Sequence, residues 1–121
     1  MSCTDKFTIS KSLPNTFTFV IKQQESTLPM VLDSSDTFTA HLYNLETEEE
    51  DTSCTITTNL ETPYDEGKIS VSISNTGSLV SDRGGKADRY YLLPTYKLVI
   101  ECDTVNNGQF IAKIDKVYVD V

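Results

Sequence analysis

The sequence predicts an all-β chain, an antiparallel two-sheet sandwich of about seven to eight strands, and three observations predict it. Apolar and polar residues alternate in short runs from end to end, the period that sets one face of a strand on a core and the other in water. Turn-forming clusters separate those runs, and helical periodicity hardly occurs. Composition agrees, since five Phe, six Tyr and many Val, Ile and Thr in a 38% hydrophobic chain are too apolar for disorder and lean toward strands. With 121 residues and neither repeats nor linkers, residues 1–121 make one domain.

The elements follow in order. Phe17, Phe19 and Ile21 alternate with Thr16, Thr18 and Val20 in a strongly apolar strand that stops at Lys22-Gln23-Gln24-Glu25. Leu28-Pro29-Met30-Val31-Leu32 is a short apolar segment that its proline confines to an edge or a strand start. After the turn Asp33-Ser34-Ser35-Asp36, Phe38, Ala40 and Leu42 point inward. Cys54, Ile56, Thr58 and Leu60 form the next inward set, and residues 62–67 link it to Ile69, Val71 and Ile73. Tyr96, Leu98, Ile100 and Cys102 run into Asn106-Asn107-Gly108, whose residues tolerate the left-handed backbone of a tight hairpin, and Phe110, Ala112 and Ile114 return. The apolar positions then shift from even to odd at Val117 and Val119, which predicts a one-residue bulge near Asp115 and Lys116. Residues 78–94 break the alternation and predict an irregular loop or one helical turn.

Charge and cysteines narrow the function. Ten Lys plus Arg against eighteen Asp plus Glu leave a net charge of −8, which repels nucleic-acid phosphates and argues against nucleic acid as a partner. No apolar run is long enough to span a membrane and no signal-peptide core follows the first residues, so a soluble chain without a membrane partner is expected. The three cysteines, Cys3, Cys54 and Cys102, lack zinc or redox spacing and read as free thiols in a reducing cytoplasm. A Cys54–Cys102 disulfide is the alternative, but both lie in phase with apolar neighbours and read as small buried hydrophobes.

Nothing in the sequence assembles a catalytic set, so no enzyme, no cofactor and no metal are expected. The single His41 falls on an outward strand position with no nucleophile to serve. Glu46, Glu48, Glu49, Glu50 and Asp51 lack the spaced ligands and central glycine of a calcium loop and read as a solvated tip. Arg83-Gly84-Gly85-Lys86 lacks the spacing of a phosphate-binding loop, and Ala87 stands where its hydroxyl belongs. The informative cluster is Arg83, Lys86 and Arg89 beside Tyr90 and Tyr91. Arginine and tyrosine are the residue types interfaces favour, which makes these five the candidate partner-binding residues; the competing reading is a surface loop with its tyrosines tucked onto the sandwich.

Absent Trp, and without a cysteine pair around one, the chain fits only the looser immunoglobulin-like description. Five features in this order, Leu-Pro-Asn-Thr-Phe-Thr-Phe-Val-Ile-Lys at 13–22, Thr-Phe-Thr-Ala-His-Leu at 37–42, a strand led by Gly67, Tyr-Lys-Leu-Val-Ile at 96–100 and a Val-rich last strand, resemble small immunoglobulin-like bacteriophage virion proteins, above all the N-terminal domains of baseplate upper proteins. The likeness covers most of the chain, and residues 78–94 depart from the pattern. It implies a non-enzymatic structural component of a virion, in capsid decoration, neck or head–tail adaptor, or baseplate. Synthesis would be in the host bacterial cytoplasm, and the partners would be other virion structural proteins and copies of this chain. The alternative is a carbohydrate-binding or adhesion module, with Tyr64, Tyr90 and Tyr91 as stacking platforms, because fold does not fix function.

Overall fold

A computed structural model of the chain describes residues 6–11, 15–23, 27–81 and 93–120. Among them are seven strands: β1 (Lys6–Ser10), β2 (Asn15–Val20), β3 (Thr37–Asn44), β4 (Thr55–Leu60), β5 (Lys68–Ser74), β6 (Tyr96–Thr104) and β7 (Gly108–Asp120). One short 3-10 turn, Tyr64–Glu66, interrupts the β pattern. The strands form two sheets, β1-β7-β6-β3 and β2-β5-β4, the predicted two-sheet sandwich.

The inward residues come from both sheets and make one core. Phe19, Ile69, Val71 and Ile73 of one sheet and Ile9, Leu42, Leu98, Ile100, Ile114 and Val117 of the other are all buried. Phe7 joins the layers, its ring centroid 4.4 Å from Phe17 and 5.6 Å from Phe19. The predicted bulge is present: Leu98 pairs with Ile114 but Tyr96 pairs with Val117, so Asp115 and Lys116 together oppose Lys97. Both are exposed, and the extra residue returns Val117 and Val119 to the core. The hairpin turns at Gly108, whose φ of 72° is in the left-handed region.

Two features depart from the sequence reading. First, Lys6–Ser10 is a strand, and it pairs in parallel with β7, Phe7 opposite Val117 and Ile9 opposite Val119; the other pairings are antiparallel. The Phe7 and Ile9 alternation carried that signal, but five residues are too few to stand out without their partner. Second, the segment around Pro29 is not a strand. Backbone bonds tie it down, with Met30 N–H donating to Ile21 O at 2.8 Å and Leu32 N–H to Tyr64 O at 2.9 Å, and Met30 and Leu32 are buried. Gly67 makes this approach feasible: a Cβ there would lie 2.5 Å from Ile21 O, and its φ is +64°. Cys54 and Cys102 do not form the alternative disulfide; Cys102 is buried on β6, whereas Cys54 just precedes β4 in the other sheet and is half-buried. Cys3 lies outside the described residues.

Candidate functional site

The five candidate partner-binding residues, Arg83, Lys86, Arg89, Tyr90 and Tyr91, lie outside the described residues. The frame from which that connection departs is well defined. Leu79 is buried in the core, the Ser81 hydroxyl donates to Val119 O, and the Thr95 hydroxyl donates to Val80 O at 2.8 Å. Thr95 N–H in turn donates to Val117 O at 3.0 Å. Both ends of the connection are therefore fixed against β6 and β7.

Tyr96 is the centre of this frame. Its side chain is fully buried, and its hydroxyl accepts from Val80 N–H at 2.9 Å while donating to Asp51 Oδ2 at 2.8 Å. Burial, with the Asp51 charge adding to it, pushes the phenol up to about 12. At Asp51, desolvation works to raise the carboxyl, but bonds from the Ser53 hydroxyl and N–H and from Tyr96 outweigh it and hold the group below its ordinary range. Asp51 is thus an anchored anion, not part of the solvated tip the sequence suggested, while Glu46, Glu48, Glu49 and Glu50 are exposed. Cys54 lies next to this pair, its Sγ 3.9 Å from Asp51 O. Burial and then the Asp51 charge push its thiol up, which suits a packed thiol better than a nucleophile.

A second carboxylate plays the same structural part at the opposite end. Asp36 is buried and accepts from Asp33 N–H through Oδ2 and from Val105 N–H through Oδ1, each at 2.8 Å. Asn107 Nδ2 donates to Val31 O at 3.2 Å, so the β6–β7 turn is strapped to the loop before β3.

The outward face of the four-stranded sheet is the other candidate surface. His41, half-buried on β3, has Nδ1 3.2 Å from Glu50 Oε2 and Nε2 3.7 Å from Glu101 Oε2, so it bridges the acidic loop to β6. Next to it a shallow groove is lined by Thr37, Thr39, Glu101, Asp103, Gln109 and Ile111. The outward face of β2-β5-β4 differs in kind, with Thr16, Thr18, Ser70, Ser72, Thr55, Thr57 and Asn59 in register and a Thr16–Ser72 hydroxyl bond of 3.0 Å.

No family model, curated protein or solved structure matches the chain.

Sequence reasoning located neither Asp51–Tyr96 nor Asp36–Val105. Tyr96 read as the first inward residue of a strand, which it is, but the alternation that reveals an inward ring says nothing about where its hydroxyl goes. A buried tyrosine needs a partner for that hydroxyl, and an aspartate flanked by serine two residues on is a turn-forming type; those two facts are the only sequence signals for the pair.

Proposed function

We propose that the chain is a non-enzymatic structural component of a bacteriophage virion that acts through protein–protein contacts. The observation that carries this reading is the strand order. Lettered A to G along the chain, the sheets are B-E-D and A-G-F-C, which supports the immunoglobulin-like sandwich that the resemblance to phage virion proteins implies. A scaffold of this kind presents two broad sheet faces and its connections, and here one stretch of sequence gathers Arg83, Lys86, Arg89, Tyr90 and Tyr91 on an otherwise acidic protein. Such a cluster suits an acidic partner surface, with the tyrosines as anchors.

Electron cryomicroscopy of the phage particle that encodes the chain tests this. The reading requires density at symmetry-repeated positions into which the seven-stranded sandwich fits, with residues 82–92 against a neighbouring chain. A map of the whole particle fully accounted for by other chains would refute it.

A further inference from the structure

We infer that the outward face of β3-β6-β7 is a self-complementary surface on which a second copy of this chain docks, turned end for end. The strand register places four rows across this face. Tyr43 lies beside Lys97, which meets Asp115 and Lys116 across the bulge; His41 lies beside Val99 and Lys113; Thr39 beside Glu101 and Ile111; Thr37 beside Asp103 and Gln109. Positive charge therefore gathers at one end and negative charge at the other. Lys97 lies along the Tyr43 ring, Nζ 5.9 Å from its centroid. Among the described residues no carboxylate comes within ion-pair distance of Lys97, Lys113 or Lys116. Asp115 and Glu50, the latter bridged to Tyr43 in the same row and 3.2 Å from His41, offset two of these three charges, and one positive charge stays in excess at the basic end.

The choice of occupant follows from that segregation. An acidic partner would match one end of the face and be repelled by the other, whereas the same face rotated about an axis across the strands matches both. With the axis between the Val99 and Glu101 rows, Lys97 of each copy meets Asp103 of the other, and Lys113 comes beside Glu101 of the other. Val99 then faces Glu101 of the other copy and Ile111, 51% exposed, faces its Lys113, so that Val99 of one copy and Ile111 of the other lie diagonally beside each other. Two bodies of charge −8 repel each other, but at physiological salt that repulsion is screened beyond about 8 Å, and the facing pairs lie closer than that. From strand and row spacing the face measures roughly 20 by 27 Å, below the approximately 800 Å² per partner of a standard stable interface. The dimer is accordingly weak. The inference goes beyond the virion reading and does not depend on it, since this contact can exist in any setting.

Sedimentation velocity on the full chain from about 1 μM to 1 mM, read with K97E, D103K and their equimolar mixture, tests it. The wild type should show a concentration-dependent monomer–dimer equilibrium. Each variant alone should weaken it at least tenfold, because like charges then face each other twice. The mixture should restore it, since each K97E chain opposes a D103K chain with every pair again of opposite sign. If Lys97→Glu impairs folding by circular dichroism, Lys113→Glu with Glu101→Lys replaces the pair. A wild type that stays monomeric to 1 mM, a dimer that neither variant weakens, or a mixture that stays monomeric overturns the inference.

Discussion

The Tyr96 hydroxyl joins three segments at one atom: it sits at the start of β6, donates to Asp51 Oδ2 at 2.8 Å and accepts from Val80 N–H at 2.9 Å. One side chain thereby fixes the loop before β4 and the beginning of the β5–β6 connection. Removing it with Tyr96→Phe keeps the ring but leaves Val80 N–H without that acceptor and Asp51 without one donor. The expected cost is about 1 to 3 kcal/mol, measured as the change in urea midpoint at an unchanged slope.

The same hydroxyl predicts alkaline behaviour. Its folded value of about 12 lies above the ordinary 10.0, so the folded state holds this proton more tightly than the unfolded state does. Its contribution is complete below pH 10 and is lost as pH rises toward 12. An ultraviolet titration should show a tyrosine step near pH 12 that vanishes in Tyr96→Phe. Asp51 has the opposite sign. Held below 3.8, it contributes above that pH and loses its contribution as pH falls through its lower folded value, so Tyr96→Phe should also make acid unfolding begin at higher pH.

Gly67→Ala should be among the most damaging single changes. The left-handed backbone alone costs about 1 to 2 kcal/mol for a residue with a Cβ. The added methyl also meets Ile21 O at 2.5 Å, a backbone atom that cannot swing aside as a side-chain end would. Chemical denaturation should show a loss above about 2 kcal/mol; a loss below 1 kcal/mol would mean that the Ile21–Met30 segments do not clasp Gly67 as described.

Phe19, 4% exposed in the cluster with Phe7 and Phe17, should lose about 3 to 5 kcal/mol on replacement by Ala. Phe38, 9% exposed on the edge strand β3, should fall toward the low end of that range. Equilibrium unfolding of the two variants measures both, and a loss near zero at either would put that ring outside the core.

Both Phe rings were legible in the sequence because alternation reports which side of a strand faces in. It reported the bulge as well, since the inward positions change parity between Ile114 and Val117. Alternation does not report which strand lies alongside. The β1–β7 pair joins residues more than a hundred positions apart, and no local pattern encodes it. Met30 and Leu79 are buried from loops, where no period exists to reveal them. Asp36 and Asp51 read as turn or tip residues because their acceptors serve backbone and side-chain groups far along the chain. The polarity of the β3-β6-β7 face was hidden for the same reason, since Lys97, Lys113 and Asp103 become one surface only through the register.

An isolated chain that works by assembly should give no saturable signal on a glycan array. Reproducible binding that disappears in both Tyr90→Ala and Tyr91→Ala would favour the carbohydrate-binding alternative.

The central claim is residence in the particle, and quantitative mass spectrometry of gradient-purified virions measures it most directly. The chain should be present at a fixed ratio to the major capsid protein that persists through a second gradient and a high-salt wash. Its absence from purified particles, with the chain recovered only in the host lysate, would contradict the account.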